Sequence, residues 1–129
     1  KKWLTRLTEQ PIFGAFSLSE PDAGSDAGGM TCRAELKGDK YIINGTKCYC
    51  TNGGYADFYT LFASTNPDKG ARGTSCLIVP RNTLRLRVGK AMDKMGQRAS
   101  NQVEVHYENA EVPAENIVAA FAAAREARD

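Results

Sequence analysis

The sequence predicts an all-β domain, an antiparallel sandwich or barrel of about seven short strands, followed by a short C-terminal helix. Two observations predict the strands: short β-prone runs recur along the chain, and turn residues separate them at regular spacing. A third predicts the helix, because the closing run "AAFAAAREARD", residues 119–129, is rich in alanine and lacks β-branched residues. These signals divide the chain into an entry segment at 1–12, a β domain at 13–118 and the helical end at 119–129.

The first strands are predicted around two turn signals. The run Lys37-Gly38-Asp39-Lys40 indicates a turn, so residues 30–36 and 40–43 are expected to pair as a hairpin. The dipeptide Asn44-Gly45 favours a second tight turn with positive φ, which places the next strand at 46–51.

The remaining strands follow another break at Asn52-Gly53-Gly54. A polar loop is predicted at 65–73, because it separates two apolar runs. Strands are predicted at 58–63, 74–79, 84–88 and 103–107.

Composition excludes several classes of protein. The 129 residues are 42% hydrophobic and 25% charged, which is typical of a folded domain with a core, and no apolar run is long enough to span a bilayer. The net charge of +2 comes without a basic stripe interleaved with aromatic residues, so nucleic-acid binding is not predicted. The first residues lack a signal-peptide pattern.

The four cysteines are predicted to be free and buried. They lie at positions 32, 48, 50 and 76 without a CxxC pair, and His106 is remote in sequence, so no metal site is predicted. Free buried thiols fit a reducing compartment.

The polar stretch "SLSEPDAGSD", residues 17–26, follows an apolar run and is the first candidate site. Phe16 and Leu18 alternate with Ser17 and Ser19, so on an extended segment one pair faces inward and the other outward. From the residues alone, the stretch is either a solvated turn or a loop that holds a charged group.

The strand "TKCYCT", residues 46–51, is the second candidate site. On a regular strand Lys47, Tyr49 and Thr51 share one face, and Cys48 and Cys50 share the other as small core residues. The alternative is a cross-strand tyrosine–threonine pair without any ligand.

Together, four stretches in order resemble the middle domain of the acyl-CoA dehydrogenase family over about residues 13–118. They are "SLSEPDAGSD", "YIINGTKCYCTNGG", "MGQRAS" and "EVPAENIV". Residues 1–12 resemble the end of that family's first helical domain, and residues 119–129 resemble the start of its second. The connector after Val118 is shorter than is usual in the family.

This resemblance implies an FAD site. The backbone of Leu18 would pair with the pyrimidine edge of the flavin, and the Ser19 hydroxyl would donate to a flavin carbonyl. Tyr49 would lie against the flavin where the family usually has tryptophan or phenylalanine, and the Thr51 hydroxyl would bond flavin N5, the hydride acceptor. The predicted FAD contacts are Phe16, Leu18, Ser19, Gly24, Ser25, Tyr49, Cys50 and Thr51.

A substrate site is implied beside it. Gly24 would let the backbone approach the ligand, and Ser25 would meet a phosphate oxygen and lie beside the acyl-CoA. Arg72 is predicted to reach the nucleotide end of CoA, and its alternative is a solvent-facing side chain. Glu20 and Asp26 are expected to shape the loop by pairing with donors. No catalytic residue is predicted, because the family's carboxylate base lies in the C-terminal helical domain.

The implied activity is α,β-dehydrogenation of an acyl-CoA thioester, with an electron-transfer flavoprotein as the later oxidant and the remainder of a longer parent chain, a homotetramer, as partner. The expected compartment is the bacterial cytoplasm or the mitochondrial matrix. Two alternatives stay open: a free-standing β binding domain without flavin, and a domain of a related acyl-CoA oxidase-type flavoenzyme.

Overall fold

The computed structural model describes residues 2–118, which form one helix, seven strands and three short 3₁₀ helices. The α-helix is α1 (Lys2–Glu9), and the 3₁₀ helices are Ala27–Gly29, Pro67–Gly73 and Ala114–Asn116. The strands are β1 (Gly14–Ser17), β2 (Arg33–Lys37), β3 (Lys40–Thr51), β4 (Phe58–Ser64), β5 (Thr74–Pro80), β6 (Leu86–Val88) and β7 (Gln102–Pro113). The helix predicted at 119–129 lies outside the described residues.

All seven strands belong to one curled sheet that resembles half of a barrel. Its order is β1-β4-β2-β3-β7-β6, and β5 pairs with β4 off this path. The all-β prediction is therefore confirmed. Most pairs are antiparallel, but β1 runs parallel to β4, from Gly14 opposite Phe58 to Ser17 opposite Leu61.

The core lies on the inner side of the curl, where alternate residues of β3, β4, β5 and β7 meet. Burying these aliphatic and aromatic side chains supplies the main stabilisation, about 1.5–3 kcal/mol for each large one. The larger members are Ile43, Tyr59, Leu61, Leu77, Val79, Val103, Val105, Tyr107 and Val112.

The predicted hairpin is correct, but the predicted turn at Asn44-Gly45 is wrong. β2 and β3 pair from Arg33 opposite Asn44 to Lys37 opposite Lys40, and Gly38 takes φ +62° in the turn. β3 then runs without a break to Thr51, because the 12-residue strand β7 pairs along its other edge.

Asn44 and Gly45 have other roles inside β3. The register of β3 against β7 shifts at Asn44, because Asn109 is an extra residue on β7. Asn44 bridges this bulge, accepting from the Asn109 N–H at 2.8 Å and donating to its side-chain oxygen at 3.0 Å. Gly45, at φ +148°, lies so close to Cys32 that a Cβ would come within 2.7 Å of the Cys32 Cα.

Two predicted strand boundaries also differ. β6 begins at Leu86 rather than Leu84, because Arg85 takes φ +64° and interrupts the extended backbone. β7 continues to Pro113, well beyond the predicted end at 107, because β3 offers it a partner edge throughout.

Helix α1 packs on the outer face of the sheet. The Trp3 ring lies 4.8 Å from the Phe58 ring, and the Arg6 guanidinium lies 4.7 Å above Trp3. Leu4 and Leu7 of this helix remain exposed. Within residues 2–118, no helix is long and apolar enough to cross a membrane.

All four cysteines are free and buried, as predicted. Burial raises the pKa of the Cys32 thiol to about 12 and that of Cys76 to about 11, and it also raises the pKa of Cys48 and Cys50. The thiols are therefore protonated and unreactive at neutral pH. In the described part of the chain, no three His, Cys, Asp or Glu side chains are grouped to hold a metal ion.

Candidate functional site

A β-bulge in β3 is the centre of the candidate site. Lys47 is paired with Val105 and Cys50 with Val103, so Cys48 and Tyr49 together face the single residue Glu104. Tyr49 takes φ +55°, a conformation that costs a non-glycine residue free energy, and its ring is 63% exposed. The bulge turns an aromatic ring out of the sheet toward a ligand-accessible surface.

The bulge overturns the prediction that Lys47, Tyr49 and Thr51 share a face. That prediction assumed regular alternation along the strand, and the extra residue breaks it. Lys47 is completely buried, whereas Tyr49 and Thr51 are exposed. Thr51 accepts a hydrogen bond from the Gln102 side-chain amide at 3.2 Å.

The bulge also binds the polar stretch at 17–26 to β3. Because Cys48 is out of register with β7, its N–H is available to Ser19 and donates to the Ser19 carbonyl at 2.8 Å. The Lys47 ammonium donates to the Leu18 carbonyl at 2.8 Å. Leu18 and Ser19, both half-buried, therefore lie beside the bulge that carries Tyr49.

The alternation in the preceding strand puts the serine inward and the aromatic ring outward. Ser17 is buried and shares a polar cluster with the Tyr107 hydroxyl at 3.2 Å and the Cys50 sulfur at 3.5 Å. Phe16 is exposed, and its ring contacts Phe62 at 5.0 Å between centroids. Cys50 has no exposed surface, so it does not contribute to the accessible site.

Two of the three acids of the polar stretch, Glu20 and Asp26, shape the loop, as predicted. Glu20 accepts from the Thr31 N–H at 2.6 Å, the Thr31 hydroxyl at 2.8 Å, the Cys32 N–H at 3.0 Å and the Lys47 ammonium at 2.8 Å. Asp26 caps the 3₁₀ helix at Ala27–Gly29 by accepting from the Gly29 N–H at 3.2 Å. Both carboxylates are thus committed to the fold.

Glu20 makes stability depend on pH. Burial raises the pKa of Glu20, but the hydrogen bonds from Lys47, Thr31 and Cys32 together outweigh it and hold the pKa below its ordinary value of 4.5. A carboxylate with a lowered native pKa contributes stability that is complete above pH 4.5 and is lost as the pH falls through the native pKa.

We therefore expect the melting temperature of the wild-type chain to drop below about pH 4.5 more steeply than that of Glu20→Gln. The pKa of Glu108, lowered by its hydrogen bond from Arg87, lies in the same acidic range, so the comparison with Glu20→Gln isolates Glu20. Thermal unfolding followed by circular dichroism between pH 7 and pH 3 measures the difference. Equal slopes for the two proteins would contradict this assignment.

The residues predicted to meet phosphate and CoA lie at a second place on the surface. Gly24 and Ser25 are exposed in the turn that follows the Glu20–Ala23 bridge, and a Cβ on Gly24 would meet no atom within 4 Å. Arg72 is exposed in the 3₁₀ segment Pro67–Gly73. A Cβ on Gly28 would lie 3.1 Å from the Ala71 Cβ, so the loops that carry Ser25 and Arg72 are neighbours.

The loop after Thr51 is held rigidly by residues that the sequence did not single out. The Asn101 carbonyl accepts from the Asn52 N–H and its side chain accepts from the Gly54 N–H, both at 2.8 Å. Arg81 donates to the Gly53 carbonyl at 3.1 Å. The sequence around Asn101 or Arg81 does not indicate this role, since each residue binds a loop at least 25 positions away.

The stretch "MGQRAS" is an irregular, exposed segment between β6 and β7. Arg98 donates to the Lys94 carbonyl at 2.9 Å and approaches the Asp93 carboxylate at 3.9 Å. Met95 is fully exposed. Within this domain, Arg98 therefore pairs inside its own segment.

The geometry defines a class of protein: a curled β domain that presents a fixed polar segment and an aromatic ring at one surface. The family model for the acyl-CoA dehydrogenase middle domain matches residues 15–110. This chain belongs to the acyl-CoA dehydrogenase family and corresponds to its middle domain.

Known relatives are similar along nearly the whole chain. Cyclohex-1-ene-1-carbonyl-CoA dehydrogenase of Syntrophus aciditrophicus (strain SB) is 48% identical over 119 residues, which are 92% of this chain and 29% of the relative. The structure of butyryl-CoA dehydrogenase from Megasphaera elsdenii is 42% identical with a TM-score of 0.86, and the match covers 90% of this chain and 30% of that one.

A relative with another activity is equally similar in fold. The structure of the prolyl acyl carrier protein oxidase AnaB is 37% identical with a TM-score of 0.88, covering 91% of this chain and 31% of that one. In all three comparisons this chain spans less than a third of the relative's length.

Proposed function

We propose that this chain is the FAD-binding middle domain of an acyl-CoA dehydrogenase that catalyses α,β-dehydrogenation of acyl-CoA thioesters. The observation that carries the proposal is the bulge at Tyr49. It exposes an aromatic ring at a strained φ of +55°, two residues before Thr51 and directly after Cys48, whose N–H is bonded to Ser19. Strain of this kind persists where the surrounding structure enforces it, often at ligand sites.

The residues present fit an isoalloxazine ring. A flavin offers a flat aromatic surface and a polar edge of carbonyls and ring nitrogens. Tyr49 supplies a ring for stacking or for shielding from water, and Ser19 and Thr51 supply hydroxyl donors on either side of it in sequence. Phe16 adds a second exposed ring at the end of the 14–17 strand. When bound, FAD would supply the acceptor for the substrate's β hydride.

The residues of this chain would bind the flavin ring, orient it and screen it from water. Donors fixed by the rigid sheet stabilise negative charge where it arrives, without reorganising. The Thr51 hydroxyl is suited to that role, because its oxygen already accepts from Gln102 and its proton is left to donate. Leu18, whose carbonyl is held by Lys47, would present its backbone to the polar edge of the ring.

The pyrophosphate of FAD and the CoA would lie at the second surface region, which is formed by the loops that carry Ser25 and Arg72. Ser25 is an exposed donor next to an unobstructed Gly24, and Arg72 is an exposed cation on the neighbouring loop. An exposed arginine near phosphates contributes charge and bidentate donors.

The general base would be supplied from outside this chain. Glu20 follows Leu18 and Ser19 in the polar stretch, but four donors occupy its carboxylate and it is buried. The proposal therefore includes a longer parent protein with helical domains on both sides, of which 1–12 and 119–129 are the adjoining parts. The parent would be a homotetramer reoxidised by an electron-transfer flavoprotein, in the bacterial cytoplasm or the mitochondrial matrix.

A related oxidase is the second candidate, and the similarity to the oxidase AnaB favours it. The two differ in how the reduced protein responds to oxygen. A parent protein that, once reduced by its thioester, returns to the oxidised spectrum in air within seconds would be an oxidase. A free-standing β domain without flavin is a third candidate, and absence of flavin from the parent protein would support it.

We expect Tyr49→Gly to weaken FAD binding about twofold to tenfold in the parent protein, because the ring contact is worth about 0.5–1.5 kcal/mol. Its stability should be nearly unchanged, because glycine accepts the φ of +55° without strain. Titration of the apoprotein with FAD, followed by flavin fluorescence, measures the affinity.

Asn109→Gly is the matched control. Asn109 is the bulge residue of β7 at φ +57°, so this change relieves the same kind of strain far along the sheet from the proposed flavin. FAD affinity should not change in this variant. Equal affinities for wild type, Tyr49→Gly and Asn109→Gly would remove Tyr49 from the site.

A further inference from the structure

A fully buried ion pair lies directly beneath the candidate site. The Lys47 ammonium is 2.8 Å from the Glu20 carboxylate, and the exposed fractions of the two side chains are 0% and 2%. Lys47 also donates to the Leu18 carbonyl at 2.8 Å. Lysine and glutamate are among the residues least often fully buried, so this pair needs an explanation.

Stability alone is a poor explanation. Removing two charges from water costs several kcal/mol for each ion, and buried pairs replaced by apolar residues are often as stable or more so. The pair instead fixes orientation, because Lys47 donates both to the Leu18 carbonyl and to the Glu20 carboxylate. No buried side-chain nitrogen or oxygen of residues 2–118 is left without a hydrogen bond.

The pair joins three segments that are remote in sequence. Lys47 belongs to β3 and begins the bulge that exposes Tyr49. Glu20 belongs to the polar stretch and also accepts from Thr31 and Cys32, at the start of the path into β2. With the Cys48 N–H on the Ser19 carbonyl, the carbonyls of Leu18 and Ser19 are both held by consecutive residues of β3.

We propose that the buried Lys47–Glu20 pair is a positioning device that fixes Leu18 and Ser19 against the bulge at Tyr49 and thereby sets the geometry in which the flavin ring is held. The inference rests on the proposed function, since it assigns the role of this pair at the same site. Both side chains are buried, so neither would touch the ligand, and both are positioning residues and not catalytic ones.

The test uses Lys47→Met in the parent protein. Methionine keeps most of the length of the lysine stem and removes the charge and both hydrogen bonds. We expect the affinity for FAD to fall at least tenfold, and the visible absorbance maxima and circular dichroism of the bound flavin to shift, because Leu18 and Ser19 lose their fixed position. Val79→Ala is the control, since it destabilises the core on β5 without touching the polar stretch.

A second variant separates positioning from stability. Lys47→Met/Glu20→Gln removes both charges, while the single glutamine oxygen can still accept from the N–H and the hydroxyl of Thr31. It should recover part of the stability that Lys47→Met loses, because no unpaired charge remains buried. It should not recover the flavin spectrum or the FAD affinity, because the Leu18 carbonyl is still without its donor.

The outcomes are distinct. If the double variant regains stability and FAD affinity together, or if Lys47→Met changes FAD affinity and spectrum no more than Val79→Ala does, the positioning role is wrong. If the wild-type parent protein binds no FAD, the proposed function fails first and this inference fails with it. A wild-type protein that binds FAD and a Lys47→Met variant with an altered spectrum support both.

Discussion

Gly45→Ala is expected to lower the free energy of unfolding by about 2–5 kcal/mol, enough to leave a small domain largely unfolded at 37 °C. Two costs add. The φ of +148° at Gly45 is a conformation that residues with a side chain rarely adopt, and the new Cβ would come within 2.7 Å of the Cys32 Cα. Because that neighbour is backbone in the centre of the sheet, it cannot move aside without disturbing β2.

Gly38→Ala is the matched control, because it separates the two costs. Gly38 also has a positive φ, +62°, but a Cβ there would meet nothing within 4 Å. Only the backbone strain remains, about 1–2 kcal/mol. Urea unfolding of both variants measures the difference, and equal losses of stability would show that the close approach of Gly45 to Cys32 is not tight.

Glu20→Ala is expected to lower the free energy of unfolding by about 3–5 kcal/mol. The change leaves the Lys47 ammonium buried without a counter-charge, and it removes the acceptor of the Thr31 and Cys32 N–H groups. Unpaired buried charges and donors are among the most destabilising changes a protein can carry.

Glu35→Ala is the control for Glu20→Ala. Glu35 is also paired with a lysine, Lys37 at 3.1 Å, but both side chains are more than half exposed. Its removal should change stability by less than about 0.5 kcal/mol. Urea unfolding at pH 7 measures both losses. A loss for Glu20→Ala as small as that for Glu35→Ala would mean that water reaches Lys47 and that the Lys47–Glu20 ion pair is not buried.

Much of the fold could be predicted from local signals. The hairpin closed by Lys37-Gly38-Asp39-Lys40 is correct because its turn depends on a few adjacent residues. The strands at 58–64 and 74–80 are bounded by glycine, proline and asparagine, which act locally as well. The alternation of apolar and polar residues along a strand can be recognised in the sequence wherever one face of the strand is buried and the other is exposed.

The site was less predictable, because its geometry depends on distant pairing. Asn44-Gly45 has the composition of a turn, but β7, some 60 residues later, extends β3 through it. The bulge at Tyr49 is defined by how β3 pairs with β7, and no local signal shows it. The assumption of regular alternation therefore put Lys47 on the same face as Tyr49, which is wrong. That Lys47 is buried follows from its partner Glu20, 27 residues earlier, and no pattern in either segment indicates the pair.

The most direct test of FAD binding and acyl-CoA dehydrogenation is a visible spectrum of the purified parent protein, followed by anaerobic addition of a panel of acyl-CoA thioesters. We expect bound FAD, and we expect at least one thioester to bleach its visible absorbance. A parent protein that carries no flavin after reconstitution with FAD, or whose flavin no thioester bleaches, would contradict this expectation.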